Sequence, residues 1–188
     1  MLKEFYTLAP ENEVQLAKKF RDFYKNHKVK ILDLYYNRSG NQNSKTKRDW
    51  ASNLKDAIEF VDGVSTGWHV NLMSINQRTI FQEQEYNFAK TMMTENVPNV
   101  PKLKIDKYQC KCLKSSLELT KIMSKRDKTG SSAIFKDKSS EKLALHLRPM
   151  YSTNFSDAFK YFIYRNVWVE FTTYSNSTTG FTAGVIGD

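Results

Sequence analysis

The chain has 188 residues, of which 40% are hydrophobic and 26% are charged, and its formal net charge is +9. This apolar content supports a sizeable core and excludes an intrinsically disordered chain. No apolar run approaches the roughly 18 residues that a membrane span requires, and the first residues lack the apolar segment of a signal peptide. We therefore expect a cytoplasmic protein with no membrane partner. One globular domain is expected over residues 1–174, followed by a loose tail at 175–188.

The first predicted elements are a helix, a strand and a second helix. Residues 10–26 carry apolar side chains at helical spacing behind Pro10, which suits a first helical turn. Residues 28–36 are apolar on both faces, which is typical of a central strand. Asp33 lies in the middle of that strand, and we expect it to have a structural hydrogen-bond partner; a catalytic role is the alternative. The second helix is predicted over residues 45–61.

The loop before the second helix is basic. Lys45, Lys47 and Arg48 lie where the positive end of the helix dipole repels cations, so this turn is a candidate anion site. Lys45 and Thr46 also have the spacing of a phosphate-binding loop between a strand and a helix. The two positions where that motif requires glycine are serines, however, which argues against nucleotide hydrolysis.

Residues 63–67 match the Gly-x-Ser-x-Gly pattern of a nucleophile elbow. An elbow joins a strand to a following helix, whereas this segment follows a helix and precedes a strand predicted over 68–75. An ordinary turn explains the pattern. Acyl transfer by Ser65, with His146 as the base, is the alternative.

The next elements are a helix, a strand and a short helix. The helix is predicted over residues 77–94, and segment 96–101, which contains two prolines, is the one candidate internal boundary. Residues 102–107 alternate apolar and polar side chains, which predicts an exposed or edge strand. Ser115 to Glu118 resembles a capping box and predicts a short helix that ends near Lys128.

The last predicted elements are a hairpin, a helix and a strand. Residues 133–136 and 142–148 are expected to pair as the hairpin. Residues 154–165 predict a helix that is apolar on most of its circumference and therefore buried, and a strand follows at 167–172. The leucines expected to face inward are Leu143, Leu145 and Leu147. The aromatic residues for which base stacking is the alternative are Tyr161, Tyr164 and Trp168.

The positive charge is concentrated in the third quarter of the chain. Residues 102–148 carry thirteen Lys or Arg and five Asp or Glu, a balance of +8, whereas the rest of the chain is nearly neutral. A local field of this kind attracts a polyanion. Solvated surface lysines without a partner are the alternative.

No motif specifies a reaction. The acidic triplets of nucleases, the Asp-x-Asp pair of two-metal enzymes and the His and Cys spacings of zinc sites are missing. Cys110 and Cys112 would point to opposite faces of a strand, so no disulfide is expected between them. The catalytic residues, if any, are unknown, and we expect a protein without cofactor or metal that is not an enzyme.

The predicted fold class is α+β, with α/β as the alternative: a single domain with a mixed β-sheet covered by three to five helices. The leading hypothesis is a non-enzymatic protein that binds DNA or RNA without sequence preference, because lysine supplies point charge rather than bidentate base recognition. The alternatives are a module that docks an acidic protein partner and a divergent hydrolase. The residues predicted to contact phosphates are Lys102, Lys104, Lys107, Lys111, Lys114, Lys121, Lys125, Arg126 and Lys128, with Arg38, Lys45, Lys47 and Arg48 as an extension.

Overall fold

The computed structural model describes residues 3–37, 49–74, 82–94, 102–126 and 132–163. Within these ranges the fold is mixed α+β, as the sequence predicts. The helices are α1 (Glu13–Phe23), α2 (Trp50–Glu59), α3 (Gln82–Thr94), α4 (Lys111–Leu119), α5 (Arg148–Tyr151) and α6 (Asn154–Ile163). The strands are β1 (Ile31–Leu34), β2 (Phe60–Val61), β3 (Val64–Ser65), β4 (His69–Leu72), β5 (Ile122–Arg126) and β6 (Ser132–Lys136). Two 3-10 turns span Ser139–Lys142 and Leu145–Leu147.

The strands pair in both directions, but in three separate sheets of two strands each within the described ranges. β1 pairs with β4 in parallel, whereas β2 pairs with β3 and β5 pairs with β6 in antiparallel fashion. The strands of the expected mixed sheet are therefore distributed over three small pairs. Most of the buried hydrophobic residues in the described ranges consequently lie on helices.

Asn12 caps α1, and Pro10 lies before the helix rather than in its first turn. The Asn12 side chain accepts a hydrogen bond from the backbone N–H of Val14 at 2.9 Å, and the Asn12 N–H donates to the Gln15 side chain at 3.0 Å. This reciprocal arrangement is a capping box, which satisfies two groups that would otherwise lack partners at the start of the helix.

The first core is formed by α1, α2 and the β1–β4 pair. α2 lies between the two parallel strands in the chain, as in a βαβ unit. Ala17 from α1 packs here, and Phe20 and Tyr24 of the predicted stripe contribute partly buried rings, whereas Val14 is exposed. The buried residues of the first core are Ala17, Leu54, Ile58, Trp68 and Val70.

β1 is buried on one face only, contrary to the prediction of a central strand. Leu32 and Leu34 pack against the first core, but Ile31 on the other face is 58% exposed. Asp33 is also exposed, and its carboxylate accepts a hydrogen bond of 2.8 Å from the side chain of Asn71, its register partner on β4. A structural partner for Asp33 is therefore present, although at the surface.

The Gly-x-Ser-x-Gly segment forms part of a tight hairpin between β2 and β3. Asp62 and Gly63 have φ angles of 50° and 80°, which is the backbone handedness of a two-residue hairpin turn and explains the Asp-Gly pair. The Ser65 hydroxyl accepts a hydrogen bond from the Gly67 N–H at 3.2 Å. The segment is an ordinary turn, as expected, but it connects two strands instead of a helix and a strand.

The second core is formed by α3, α4 and α6. Its buried residues are Phe88, Met92, Cys110, Leu113, Phe159 and Ile163. The N-terminal segment joins the two cores, because Phe5 packs edge-on against Phe23 of α1 at 5.6 Å and Tyr6 packs against Phe155 of α6 at 6.0 Å.

Residues 102–107 do not form the predicted strand. Leu103 and Ile105 are partly buried against the second core and alternate with exposed neighbours, as the pattern predicts. The backbone, however, pairs with no strand within the described ranges. Alternating burial arises whenever an extended segment lies on a core. The alternation therefore does not by itself predict pairing with another strand.

The predicted helix start at Ser115 is wrong. α4 begins at Lys111, and Ser115 and Ser116 lie inside it. The Ser116 hydroxyl accepts a hydrogen bond from the Ser156 N–H at 2.9 Å, and the Ser115 hydroxyl donates to the Met150 carbonyl at 2.6 Å. These serines bind neighbouring elements rather than capping their own helix, and the residues predicted as the rest of that helix form β5.

The predicted hairpin has the wrong partner. Residues 132–136 form β6, but β6 pairs with β5, with Ile122 opposite Lys136. Residues 143–148 instead close local turns: Arg148 donates from its side chain to the Leu143 carbonyl at 2.7 Å, and Leu147 donates its N–H to Ala144. Leu145 and Leu147 are consequently exposed.

α6 was predicted well, with Phe159 and Ile163 buried as expected for its apolar circumference. Tyr161 is partly buried. Tyr164, Trp168, the strand predicted at 167–172, the boundary at 96–101 and the tail at 175–188 lie outside the described residues. No helix in the described part of the chain has both the length and the apolar character needed to cross a bilayer.

Candidate nucleic-acid interface

An Asx turn leads into α4 and directs a lysine and an aromatic ring to solvent. The Asp106 carboxylate accepts hydrogen bonds from the backbone N–H groups of Tyr108 at 2.8 Å and Gln109 at 3.0 Å. These bonds from Gln109 and Tyr108 lower the pKa of the Asp106 carboxyl. Tyr108 is 71% exposed, and the Lys107 ammonium lies 5.0 Å from the centre of its ring. The turn therefore presents a cation and a π-face together.

The exposed face of α4 continues this basic region. Cys112, Leu113 and Ser116 are buried, so Lys111 and Lys114, three residues apart, lie on the solvent side. Lys114 forms an ion pair of 2.5 Å with Glu118, whereas Lys111 forms no ion pair with any described residue. Lys107, Tyr108, Lys111 and Lys114 are called the α4 basic surface below.

The N-terminus of α4 is capped by a carboxylate from the opposite end of the chain. Glu4 accepts hydrogen bonds from the backbone N–H groups of Cys112 at 2.9 Å and Leu113 at 2.8 Å. Cys110, the residue at the cap position, supplies no side-chain bond. The sequence carried no local signal for this contact, because Glu4 and Cys112 are 108 residues apart.

Both cysteines are buried and free at this end of α4. Burial and the adjacent Glu4 carboxylate raise the pKa of the Cys112 thiol to about 11. Burial also raises the pKa of Cys110. The thiols are therefore protonated and unreactive near neutral pH. The sequence predicts no disulfide between Cys110 and Cys112 on the assumption that they lie on a strand. In the structure they lie at the start of α4.

An apolar groove of about 530 Å³ lies beside the α4 basic surface. Its floor is formed by Met92 and Met93 of α3, Leu117 of α4, and Leu103 and Ile105 of the preceding segment. Lys107 and Lys114 line it as well, together with Glu118. The groove thus brings together two of the lysines predicted from the sequence.

The other predicted phosphate contacts are spread more widely. Lys102, Lys104, Lys121 and Arg126 are exposed. Lys121 lies close to Asp137, whose carboxyl pKa is lowered by hydrogen bonds from Ser139 and, to a smaller extent, by the Lys121 charge. The side chain of Lys125 lies outside the described residues, as do Lys128, Arg38, Lys45, Lys47 and Arg48.

Lys136, in the later part of the basic stretch, and Lys160 beyond it are directed into the protein, whereas Lys138 and Lys142 are exposed. Only 7% of the Lys136 side chain is exposed, and its ammonium contacts Asp157 at 2.7 Å, Glu141 at 3.3 Å and the Thr153 carbonyl at 2.7 Å. Lys160 contacts Glu85 at 3.0 Å and Asp157 at 3.1 Å. No local pattern indicates this network, because its members are distributed between α3, β6, the first 3-10 turn and α6.

The described residues show no arrangement that supports the enzyme hypotheses. Ser65 bonds to its own hairpin, and no hydrogen bond joins it to His146 in the part of the chain that the structure covers. Within the same ranges, no group of three His, Cys, Asp or Glu side chains is placed to hold a metal ion.

Comparisons with known proteins gave no match: no family model, no curated protein and no solved structure matches this chain. Its function must therefore be inferred from its own residues and their arrangement.

Proposed function

We propose that this chain is a non-enzymatic protein that binds nucleic acid without sequence preference, and favours single strands, through the α4 basic surface. The observation that carries this proposal is the exposed Tyr108 ring, which the Lys107 ammonium approaches at 5.0 Å and which precedes Lys111 by three residues. Every base has a π-face that stacks on such a ring, whatever the sequence, and lysines beside it neutralise phosphates.

The residue types favour loose rather than specific recognition. Lysine is a point charge on a flexible stem and does not form the planar fork with which arginine recognises guanine. Each base stacked on an aromatic side chain contributes about 1–3 kcal/mol. One ring and three lysines thus support modest affinity that depends strongly on salt.

The test is a fluorescence anisotropy titration with a short labelled oligothymidylate and a duplex of equal length. Neutralisation of about three phosphates on a single strand predicts a slope of about −2 in log affinity against log salt, which is about 15-fold between ~50 and ~200 mM salt. We expect the single strand to bind more tightly than the duplex. Absence of salt-dependent binding to either would overturn the proposal.

A second function is favoured by the apolar groove between Lys107 and Lys114. An amphipathic helix with apolar residues on one face and acidic residues at its edges would fill the groove and pair with both lysines. A labelled peptide of that composition, titrated under the same conditions, separates the two functions. Binding of the peptide without binding of the oligonucleotide would overturn the nucleic-acid proposal in favour of an acidic helical partner.

A further inference from the structure

A second cavity, of about 330 Å³, lies between α3, α4, α6 and the β5–β6 pair and shares Met93 and Leu117 with the groove beside α4. Such a volume falls at the lower end of the range for small-molecule sites and equals roughly ten water volumes. Apolar side chains form most of its wall. The residues that contribute them are Ala89, Met93, Leu117, Ile122 and Phe159, and the aromatic Tyr86 lies beside them.

The charged residues in the wall are all cations. Lys90, Lys136 and Lys160 line the cavity, and the described lining contains no Asp or Glu. The carboxylates that compensate Lys136 and Lys160 lie outside the lining set, on Glu85, Glu141 and Asp157. An entering ligand therefore meets apolar surface and three ammonium groups, two of which are already paired with carboxylates.

The three ammonium groups differ in the hydrogen-bonding capacity that remains. Lys136 has three acceptors for its three N–H groups, namely Asp157, Glu141 and the Thr153 carbonyl. Lys160 has two acceptors, Glu85 and Asp157, so one N–H has no acceptor among the described residues. Lys90 is exposed and likewise has no ion-pair partner within those ranges.

Lys160 remains charged in this setting. Burial alone would lower its pKa, but the charges of Asp157 and Glu85 outweigh that effect and raise the pKa of Lys160. The third N–H of Lys160, which has no acceptor within the described ranges, is thus a charge-assisted donor, and such donors prefer ionised acceptors. Three carboxylates already compensate Lys136 and Lys160. The exposed ammonium of Lys90 therefore supplies the charge that balances a ligand carboxylate, and Lys160 supplies a hydrogen-bond donor.

We propose that this cavity binds a small amphipathic carboxylate, with its apolar body between Met93, Ile122 and Phe159 and its carboxylate directed to Lys160 and Lys90. The body is a single aromatic ring or a short alkyl chain, because the volume accommodates on the order of ten heavy atoms. The charge anchors the ligand and the apolar wall supplies the buried area. This site is independent of nucleic-acid binding.

The test is isothermal titration calorimetry of the full chain with 4-phenylbutyrate, its neutral analogue 4-phenylbutanol, and acetate. We expect saturable one-to-one binding of 4-phenylbutyrate, at least about tenfold weaker binding of the alcohol, and no binding of acetate. No saturable binding of 4-phenylbutyrate, or equal affinity for the acid and the alcohol, would overturn the proposal.

Two variants locate the site. Lys90→Gln removes an exposed charge, so the fold should remain; we expect about tenfold weaker binding of the acid and unchanged binding of the alcohol. Ile122→Trp fills the cavity from a half-exposed position and should abolish binding of both. The matched control is Lys18→Gln on α1, which should bind like the unmodified chain. Equal affinity of Lys90→Gln and Lys18→Gln for the acid would exclude this cavity as the site.

Discussion

Lysines in two parts of this chain lie in opposite environments. In residues 102–126 the lysines whose side chains are described are exposed, whereas Lys136 and Lys160 are enclosed by carboxylates. Desolvation explains the difference, because a buried ammonium costs several kcal/mol unless opposite charges compensate it. A regional charge count therefore overstates the positive field that a partner would encounter.

The enclosed lysines connect the second core instead of binding a polyanion. Glu85 on α3, Lys160 and Asp157 on α6, and Lys136 on β6 form a continuous chain of ion pairs, which Glu141 extends to the first 3-10 turn. Each lysine thus holds elements that are far apart in the sequence. Among the described residues Lys111 forms no ion pair and Lys114 pairs only with Glu118 of its own helix, so removal of these lysines should leave the fold intact.

The largest effect is expected for Lys136→Met, which leaves Asp157 and Glu141 without their common partner. Breaking a buried pair by removing one member costs about 3 kcal/mol or more, so the urea midpoint should fall markedly. The control is Lys138→Met, since the Lys138 side chain is exposed and its ammonium lies 4.0 Å from Glu141. This variant should lose less than ~0.5 kcal/mol of unfolding free energy. Equal losses of stability in the two variants would show that the contrast between enclosed and exposed lysines is false.

Tyr108→Ala should affect binding without affecting stability. Loss of one stacked base lowers the affinity for a single strand by about 30-fold, which corresponds to about 2 kcal/mol, the middle of the range for aromatic stacking. The salt slope should remain, because the lysines are unchanged. Anisotropy and urea unfolding measured on the same preparation check both statements.

Lys111→Gln provides the charge counterpart of that prediction. It should reduce the salt slope by about 0.7, whereas Lys18→Gln removes the same charge from α1 and should leave the slope unchanged. Equal slopes for the two variants would mean that net charge, and not the α4 basic surface, attracts the nucleic acid.

Glu4→Gln should lower the stability of the fold and raise the affinity for single strands. Weakening of the carboxylate cap on α4 costs about 1 kcal/mol, while loss of a negative charge at the start of α4 should raise the affinity for single strands about twofold. The pKa of the Cys112 thiol should fall below its value of about 11, because the Glu4 carboxylate contributes to raising it. Thiolate absorbance as a function of pH measures this shift.

The smallest effect is expected from the titration of Asp157. Burial alone would raise its pKa, but hydrogen bonding and charge from Lys136 and Lys160 lower the pKa of Asp157 below its ordinary value. A depressed carboxyl pKa means that the unfolded state binds more protons, so this contribution is present above about pH 4 and is lost as the pH falls through the folded value. Asp157→Asn should therefore show a shallower loss of stability below about pH 4 than the unmodified chain. If the two chains lost stability identically below about pH 4, the ion pairs of Asp157 would not contribute to the stability of the folded state.

Local periodicity predicted the helices that pack by their own amphipathic faces. α1, α2 and α6 lie where apolar residues recur at helical spacing, because that spacing determines which face is buried. The capping pattern at Ser115 and Ser116 predicted a helix start that is wrong. Their hydroxyls form hydrogen bonds with Met150 and Ser156 of neighbouring elements instead. The alternating leucines of residues 143–148 likewise predicted a strand, but this segment forms local turns.

The sequence by itself determined the α+β class, the positions of the main helices and the location of the positive charge. Only the tertiary structure decided which cations remain at the surface, that Glu4 caps α4, and that Lys136 and Lys160 stand beside a cavity. The physical reason is that helix faces follow from spacing within a single turn. The environment of a charged side chain, in contrast, depends on carboxylates and carbonyls that folding brings from tens of residues away, such as Glu85 to Lys160.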